Sequence, residues 1–151
     1  MDTLIQRYKY GHQLYLARWL GEQMAGALAR HLETQAIVTP APLHFSRLAE
    51  RGFNQSASLA RQVARRCRLP LEVDLCERSR GTVPQATLPY AERHANVRDA
   101  FACHADLTGK SVILVDDVMT SGASVNEIAR TFKLHGATRV TVLVAARTLH
   151  E

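Results

Sequence analysis

The sequence predicts an α/β fold in which a mainly parallel central sheet is flanked by helices. Three observations predict it. The runs Val112-Ile113-Leu114-Val115 and Arg139-Val140-Thr141-Val142-Leu143-Val144-Ala145-Ala146 are continuous and β-branched, as strands buried on both faces require. Between them Val125, Ile128, Ala129 and Phe132 recur at helical spacing, and Gly136 can close that helix in the left-handed conformation. Strand, helix and strand within residues 112–146 make a βαβ unit, whose strands run parallel.

The remaining elements follow in chain order. Residues 11–33 read as a helix, with Leu14, Ala17, Leu20, Met24 and Leu28 forming one apolar stripe. Ala36-Ile37-Val38-Thr39 is a short buried strand that Pro40 and Pro42 turn into a loop. Residues 54–66 are helical again, with Leu59, Ala60, Val63 and Ala64 on one face and Pro70 as the stop. Leu71-Glu72-Val73-Asp74-Leu75 alternates like a half-buried strand. Residues 79–98 are polar, interrupted by Gly81, Pro84 and Pro89, and show no steady period. So long an irregular stretch is uncommon inside a compact domain unless it is functional, so residues 82–101 are expected to form a flexible loop over a site. No internal repeat and no second domain stand out, so residues 1–151 are expected to form a single domain.

Composition narrows the function classes. A chain of 151 residues with 46% apolar and 22% charged residues can bury a real core. No apolar run reaches the ~18–20 residues that span a bilayer, and Met1-Asp2-Thr3-Leu4 does not begin a signal peptide. A cytoplasmic protein with no membrane partner is the expectation. Cys67, Cys76 and Cys103 form no C-x-x-C, and the seven histidines form no H-x-x-x-H pair, so no metal site of protein ligands is expected. The net charge is +5, with arginines gathered from Arg47 to Arg98. That balance suits an anionic ligand, either a polyphosphate or a nucleic acid backbone, and does not choose between them.

The chemistry lies in Asp116-Asp117-Val118-Met119-Thr120-Ser121-Gly122-Ala123-Ser124. Two acids end an apolar strand, a hydroxyl-rich turn follows, and a helix begins. Ligands of open α/β sheets bind beyond the carboxyl ends of the strands. A helix N-terminus offers free N–H groups and a favourable dipole to a phosphate. Thr120, Ser121 and Ser124 add hydroxyls, and Gly122 lets the backbone come close. Carboxylates accept hydrogen bonds from vicinal ribose hydroxyls, so the spacing suits a ribose 5-phosphate lying across the turn. Neither G-x-x-x-x-G-K-[ST] nor G-x-G-x-x-G is present. Alone, a hydroxyl before a helix is most often an N-cap and an acid pair in a loop is most often solvated. Their coincidence at the end of a buried strand is what favours a site.

Residues 112–125 closely resemble the 5-phosphoribosyl-1-diphosphate (PRPP) signature of type I phosphoribosyltransferases, with Thr120-Ser121 where two threonines are usual. Pro40-Ala41-Pro42-Leu43-His44, Arg47, Arg51-Gly52-Phe53-Asn54-Gln55, Pro84-Gln85, Arg93, Asn96-Val97 and Ala100-Phe101 resemble the ComF/GntX (ComFC-like) branch, over nearly the whole chain. Members of that branch commonly carry a four-cysteine zinc ribbon ahead of the domain. This chain has none, so it is expected to be either a piece of a longer protein or a short member.

The resemblance implies the type I phosphoribosyltransferase fold, with a mobile loop over the site. It implies that Asp116 and Asp117 hold the ribose hydroxyls, with Val115, Val118 and Met119 shaping the strand end. Thr120, Ser121, Gly122, Ala123 and Ser124 would hold the 5-phosphate. Ala41, Pro42 and Leu43 match the diphosphate loop. Arg47 and Arg51 would reach the diphosphate, and Arg93 and Arg98 would be carried by the closing loop. Mg²⁺ is implied as companion of the diphosphate. Two roles are left open: transfer of a phosphoribosyl group to an unidentified acceptor, or PRPP sensing without catalysis within a DNA-uptake system. Single-stranded DNA and a competence helicase are the implied partners, and a homodimer fits the fold.

Overall fold

A computed structural model of the chain describes residues 14–31, 35–43, 48, 52–82 and 88–148. Three parallel strands form the central sheet in the order β1 (Ala36–Pro40), β4 (Ser111–Met119), β5 (Arg139–Arg147). Its middle is the aliphatic run read from the sequence. Val112, Ile113, Leu114 and Val115 are all buried, because β4 is paired on both edges and covered on both faces.

Helices α1 (Leu14–Leu28) and α2 (Gln55–Cys67) cover one face. Their apolar stripes, including Leu20, Met24, Leu59 and Val63, meet Val38, Ile113 and Val115 in one core cluster. The helix α4 (Ala123–Leu134) covers the other face, where Ile128 and Phe132 meet Val112 and Leu114. Residues alternating along β4 thus feed two separate cores, as a strand's two-residue period demands. Gly136 ends α4 at φ +95°, and a Cβ there would stand 2.9 Å from the Thr108 backbone. Positive φ and close approach together call for glycine.

Two expectations change. The stretch 71–75 is no full strand: a single parallel bridge joins Leu71 to Val38, and the chain then turns at Val73 and Asp74. Its apolar–polar alternation reflects Leu71 and Leu75 packing onto different cores. Second, β5 is not a doubly buried strand. Among the described residues it is the sheet edge, and Val140 to Ala146 stay half-buried. The stretch 82–101 has regular elements among its described residues. A 3₁₀ turn (Tyr90–Glu92) leads into the one-turn helix α3 (Arg93–Val97). Phe101 belongs to β3 (Phe101–Ala102), which pairs antiparallel with β2 (Glu77–Arg78) and forms the base of the excursion.

Among the described residues, no helix is long and apolar enough to cross a membrane.

Candidate functional site

The acids owe their position to unequal strand lengths. β1 ends at Pro40, opposite Val115, while β4 runs on through Asp116 to Met119 beside β5. Asp116 and Asp117 therefore lie inside β4 but past the end of its other neighbour. The loop leaving β1 is tied at that point, because the Ala41 N–H donates to the Val115 carbonyl at 2.8 Å.

α2 then locks the loop and the acids together. Asn54 caps α2, its Oδ1 accepting from the Ser56 and Ala57 amides at 3.0 and 3.4 Å, as an N-cap side chain should. Its Nδ2 donates to the Ala41 carbonyl at 3.1 Å. One residue therefore fixes both the helix start and the β1 loop. Ser56 Oγ donates to Asp116 Oδ1 at 2.8 Å, and the Asp117 amide donates to the same oxygen at 2.9 Å. A carboxylate held by two donors is oriented before any ligand arrives, which lowers the cost of binding one.

The turn into α4 completes the arrangement. Gly122 is in the left-handed conformation at φ +77°, and Ser121 Oγ accepts from the Ala123 amide at 3.3 Å. The first amides of a helix lack intrahelical partners, so this end of α4 presents donors toward the acids.

Two cavities open side by side here. The larger, about 160 Å³, lies between the Ala41, Pro42 and Leu43 loop and the pair Asp116 and Asp117. The smaller, about 50 Å³, is lined by Thr120, Gly122, Ala123 and Ser124. Asp116, Val118 and Ser124 line both, so one ligand can occupy both. Met119 lines the smaller one, and Val115 lies buried just behind the acids.

Not every nominated residue arrives. Arg47 and Arg51 lie outside the described residues. Arg93, on α3, donates from Nε to the Leu88 carbonyl at 3.2 Å, and Arg98 is exposed. Neither lines the described walls of the two cavities. The arm carrying them is nonetheless fastened to α4. Arg130 reaches Asp99 at 2.5 Å and Glu127 at 2.6 Å, and Glu127 accepts from the Asp99 amide at 2.9 Å. The Arg130 guanidinium holds the Glu127 carboxyl below its usual range against a partial desolvation cost.

Sequence reasoning did not nominate as site residues five that line the larger cavity: Gln55, Ser56, Arg78, Phe101 and Ile128. Arg78 lies with its guanidinium carbon 5.4 Å from the Phe101 ring centroid and donates to Thr82. A half-buried guanidinium on an aromatic face is a defined cation–π arrangement. It is the one cation among the described residues lining that cavity, opposite two acids. The thiols do not share in the site. Burial pushes Cys76 up to about 12, with smaller contributions from Cys103 and Glu77, so it stays protonated at neutral pH.

A parallel sheet whose central strand delivers paired acids to a hydroxyl-rich helix N-terminus defines a type I phosphoribosyltransferase-like fold. The chain belongs to the phosphoribosyl transferase domain family, whose model matches residues 20–151, and within it to the ComF-like branch. It is 29% identical to competence protein F of Haemophilus influenzae over 97% of this chain and 68% of that protein. It is 31% identical to the DNA utilization protein YhgH of Escherichia coli K12, over 99% of this chain and 68% of that one. Among solved structures, a hypoxanthine phosphoribosyltransferase from Staphylococcus aureus superposes with a TM-score of 0.57 at 11% identity. It covers 89% of this chain and 74% of its own, a likeness of fold alone.

Proposed function

We propose that the chain binds PRPP across the two adjoining cavities and transfers its phosphoribosyl group to an acceptor, releasing diphosphate. The observation that carries the reading is one composite cavity walled by an oriented acid pair, a helix N-terminus and the tied β1 loop. In that reading Thr120 to Ser124 hold the 5-phosphate, Asp116 and Asp117 accept from the ribose hydroxyls, and the Ala41 to Leu43 loop faces the diphosphate. The acceptor's nucleophilic atom forms the new bond at the anomeric carbon as the bond to diphosphate breaks, and the electron pair leaves with the diphosphate. No protein nucleophile is needed, and positioning and charge stabilisation carry the rate.

Mg²⁺ belongs to this reading as the diphosphate's companion. A diphosphate supplies many of the ion's ligands itself, and Asp116 and Asp117 on the cavity wall offer carboxylate oxygens beside it. The whole chain is read as one such domain, with residues 82–101 closing over the reacting centre. The relatives' names, competence protein F and DNA utilization protein, support a place in DNA uptake or DNA use.

Calorimetry with PRPP, with and without Mg²⁺, tests the donor site on the wild type and on Asp116→Asn/Asp117→Asn. The expected result is Mg²⁺-dependent binding that the double variant loses while keeping its melting temperature. A folded wild type that binds no PRPP overturns the reading. Diphosphate release against a panel of acceptors then separates transfer from sensing.

A further inference from the structure

The hairpin that carries Arg78 also brings two of the three cysteines together. β2 and β3 pair Glu77 with Ala102 and Arg78 with Phe101. The Ser79 amide donates to the Ala100 carbonyl at 3.0 Å, which makes Arg78 and Phe101 a non-hydrogen-bonded pair. The same alternation makes Glu77 and Ala102 a hydrogen-bonded pair. One step past the ladder it sets Cys76 opposite Cys103 as another non-hydrogen-bonded pair. Opposed residues of that kind have Cα atoms about 4.5 Å apart, inside the range of about 4.4–6.8 Å that a disulfide spans. By the two-residue period of a strand, both thiols share the face that carries Arg78 and Phe101.

Three further observations agree with the register. Cys76 and Cys103 are each 4% exposed and belong to the same core cluster, with Val97, Ala100 and Leu107. Burial is the main upward push on the Cys76 thiol, and Cys103 is close enough to add to it. Each thiol makes a long contact, 3.8 Å, to a carbonyl of its own segment, Glu77 for Cys76 and Ala105 for Cys103. A thiol is a weak donor, so these contacts do little to hold either side chain in place. Cys67 stands apart, because it ends α2 and packs on the other core. A buried cysteine is most often a small apolar filler. Opposition across a hairpin is what sets this pair apart.

A two-stranded hairpin with two paired residues on each strand has little stability of its own. While closed it shields both thiols, and local opening exposes them to solvent and to an oxidant. A bond between the sulfurs stops the two strands from separating. It therefore keeps Arg78 against Phe101, where both line the larger cavity.

We propose that Cys76 and Cys103 are a modification site, a reversible disulfide that locks the hairpin from which residues 79–100 extend. The co-reactant is a small-molecule disulfide such as oxidised glutathione. One cysteine thiolate attacks a sulfur of that disulfide, its S–S bond breaks, and one glutathione leaves as a thiolate that takes up a proton. The second cysteine thiolate then attacks the mixed disulfide, forming the Sγ–Sγ bond and releasing the second glutathione. The chain loses two thiol hydrogens with their electrons, and the small disulfide gains both. The proposal goes beyond PRPP binding and does not rest on it.

The test incubates the full chain with oxidised glutathione under native conditions, alkylates the remaining thiols and maps tryptic peptides without reduction. Cleavage after Arg68, Arg78, Arg98 and Lys110 puts Cys76 and Cys103 on separate peptides. The expected product links residues 69–78 to residues 99–110, leaves Cys67 alkylated and is reversed by dithiothreitol. The linked wild type should melt at a higher temperature than the reduced one, since the bond restricts the unfolded chain. Hydrogen exchange at residues 77–79 and 100–102 should slow in parallel. Cys67→Ser should repeat both shifts. Cys76→Ser and Cys103→Ser should each show no gain in melting temperature with oxidant. Each variant is compared with itself, so a loss of stability from the substitution does not enter. The proposal is overturned if the folded wild type forms no link between Cys76 and Cys103, or if Cys67 links to either of them. A link that forms only in denaturant, or a linked chain that melts below the reduced one, overturns it as well.

Discussion

Asp116 shows how a site residue is made by its neighbours. Its carboxylate is fixed by Ser56, sixty positions earlier, and by the amide of the next residue. The acid pair and the hydroxyl-rich turn were legible in the sequence because they are contiguous and follow an apolar run. Ser56 and Arg78 were not, since nothing in a linear pattern says that the start of α2 and a two-residue strand face β4. Arg78 is the more consequential of the two. It lines the larger cavity, toward the β1 loop, and is absent from the wall of the smaller one. Its charge should therefore act on a diphosphate and not on a 5-phosphate. Arg78→Gln is expected to weaken PRPP binding about tenfold or more, the effect of losing a hydrogen bond between charged groups. Ribose 5-phosphate binding should change little. Calorimetry with both ligands checks this, and an equal loss for both would mean that Arg78 supports the fold instead of the diphosphate.

Elements, too, were legible in proportion to their length. α1, α2, α4 and β4 each present several periods of their pattern, and their centres lie where the periodicity puts them. β2 and β3, two residues each, are too short to show any alternation, so the hairpin that sets Arg78 over Phe101 could not be read. The edge position of β5 also escaped, because a β-branched run looks the same whether one neighbour or two pair with it. The packing of α1 on α2 rests on Gly21 in the middle of α1, which the periodicity did not single out. A Cβ built there would stand 2.4 Å from Gln62 Cβ, so the glycine is what lets α1 and α2 approach this closely. In an isolated helix Gly→Ala would stabilise by roughly 1 kcal/mol through propensity. Here the clash forces the two helices apart, an overpacking cost of about 1–3 kcal/mol, so the balance should be destabilising. Gly21→Ala is expected to lower the denaturant midpoint with the slope m unchanged. A raised midpoint would show that Gln62 moves aside freely and that the close approach is incidental.

At the scale of the whole molecule, stability and function should separate along the chain. The centre of β4 is deeply enclosed, hydrogen-bonded on both edges and covered by both cores. Its amides can exchange with solvent only when the sheet comes apart, so their opening free energy should equal that of global unfolding. Residues 88–97 are held differently. They contain a 3₁₀ turn and one turn of helix, and only Val97 of that helix is buried. A single helical turn has little stability of its own, so this arm should open locally at far lower cost. Its far end is nevertheless fastened through Asp99 to Arg130 and Glu127 on α4, the helix whose N-terminus lines the smaller cavity. A ligand that bridges both cavities and draws residues 82–101 closed would then slow exchange in this arm more than its own affinity slows exchange in β4. Hydrogen exchange followed by mass spectrometry, with and without PRPP and Mg²⁺, should show peptides covering residues 88–97 gaining protection at early times. Peptides from Val112 to Val115 should remain protected throughout. If the arm exchanges identically with and without saturating ligand, residues 82–101 do not close over the site, and catalysis would have to exclude water by other means.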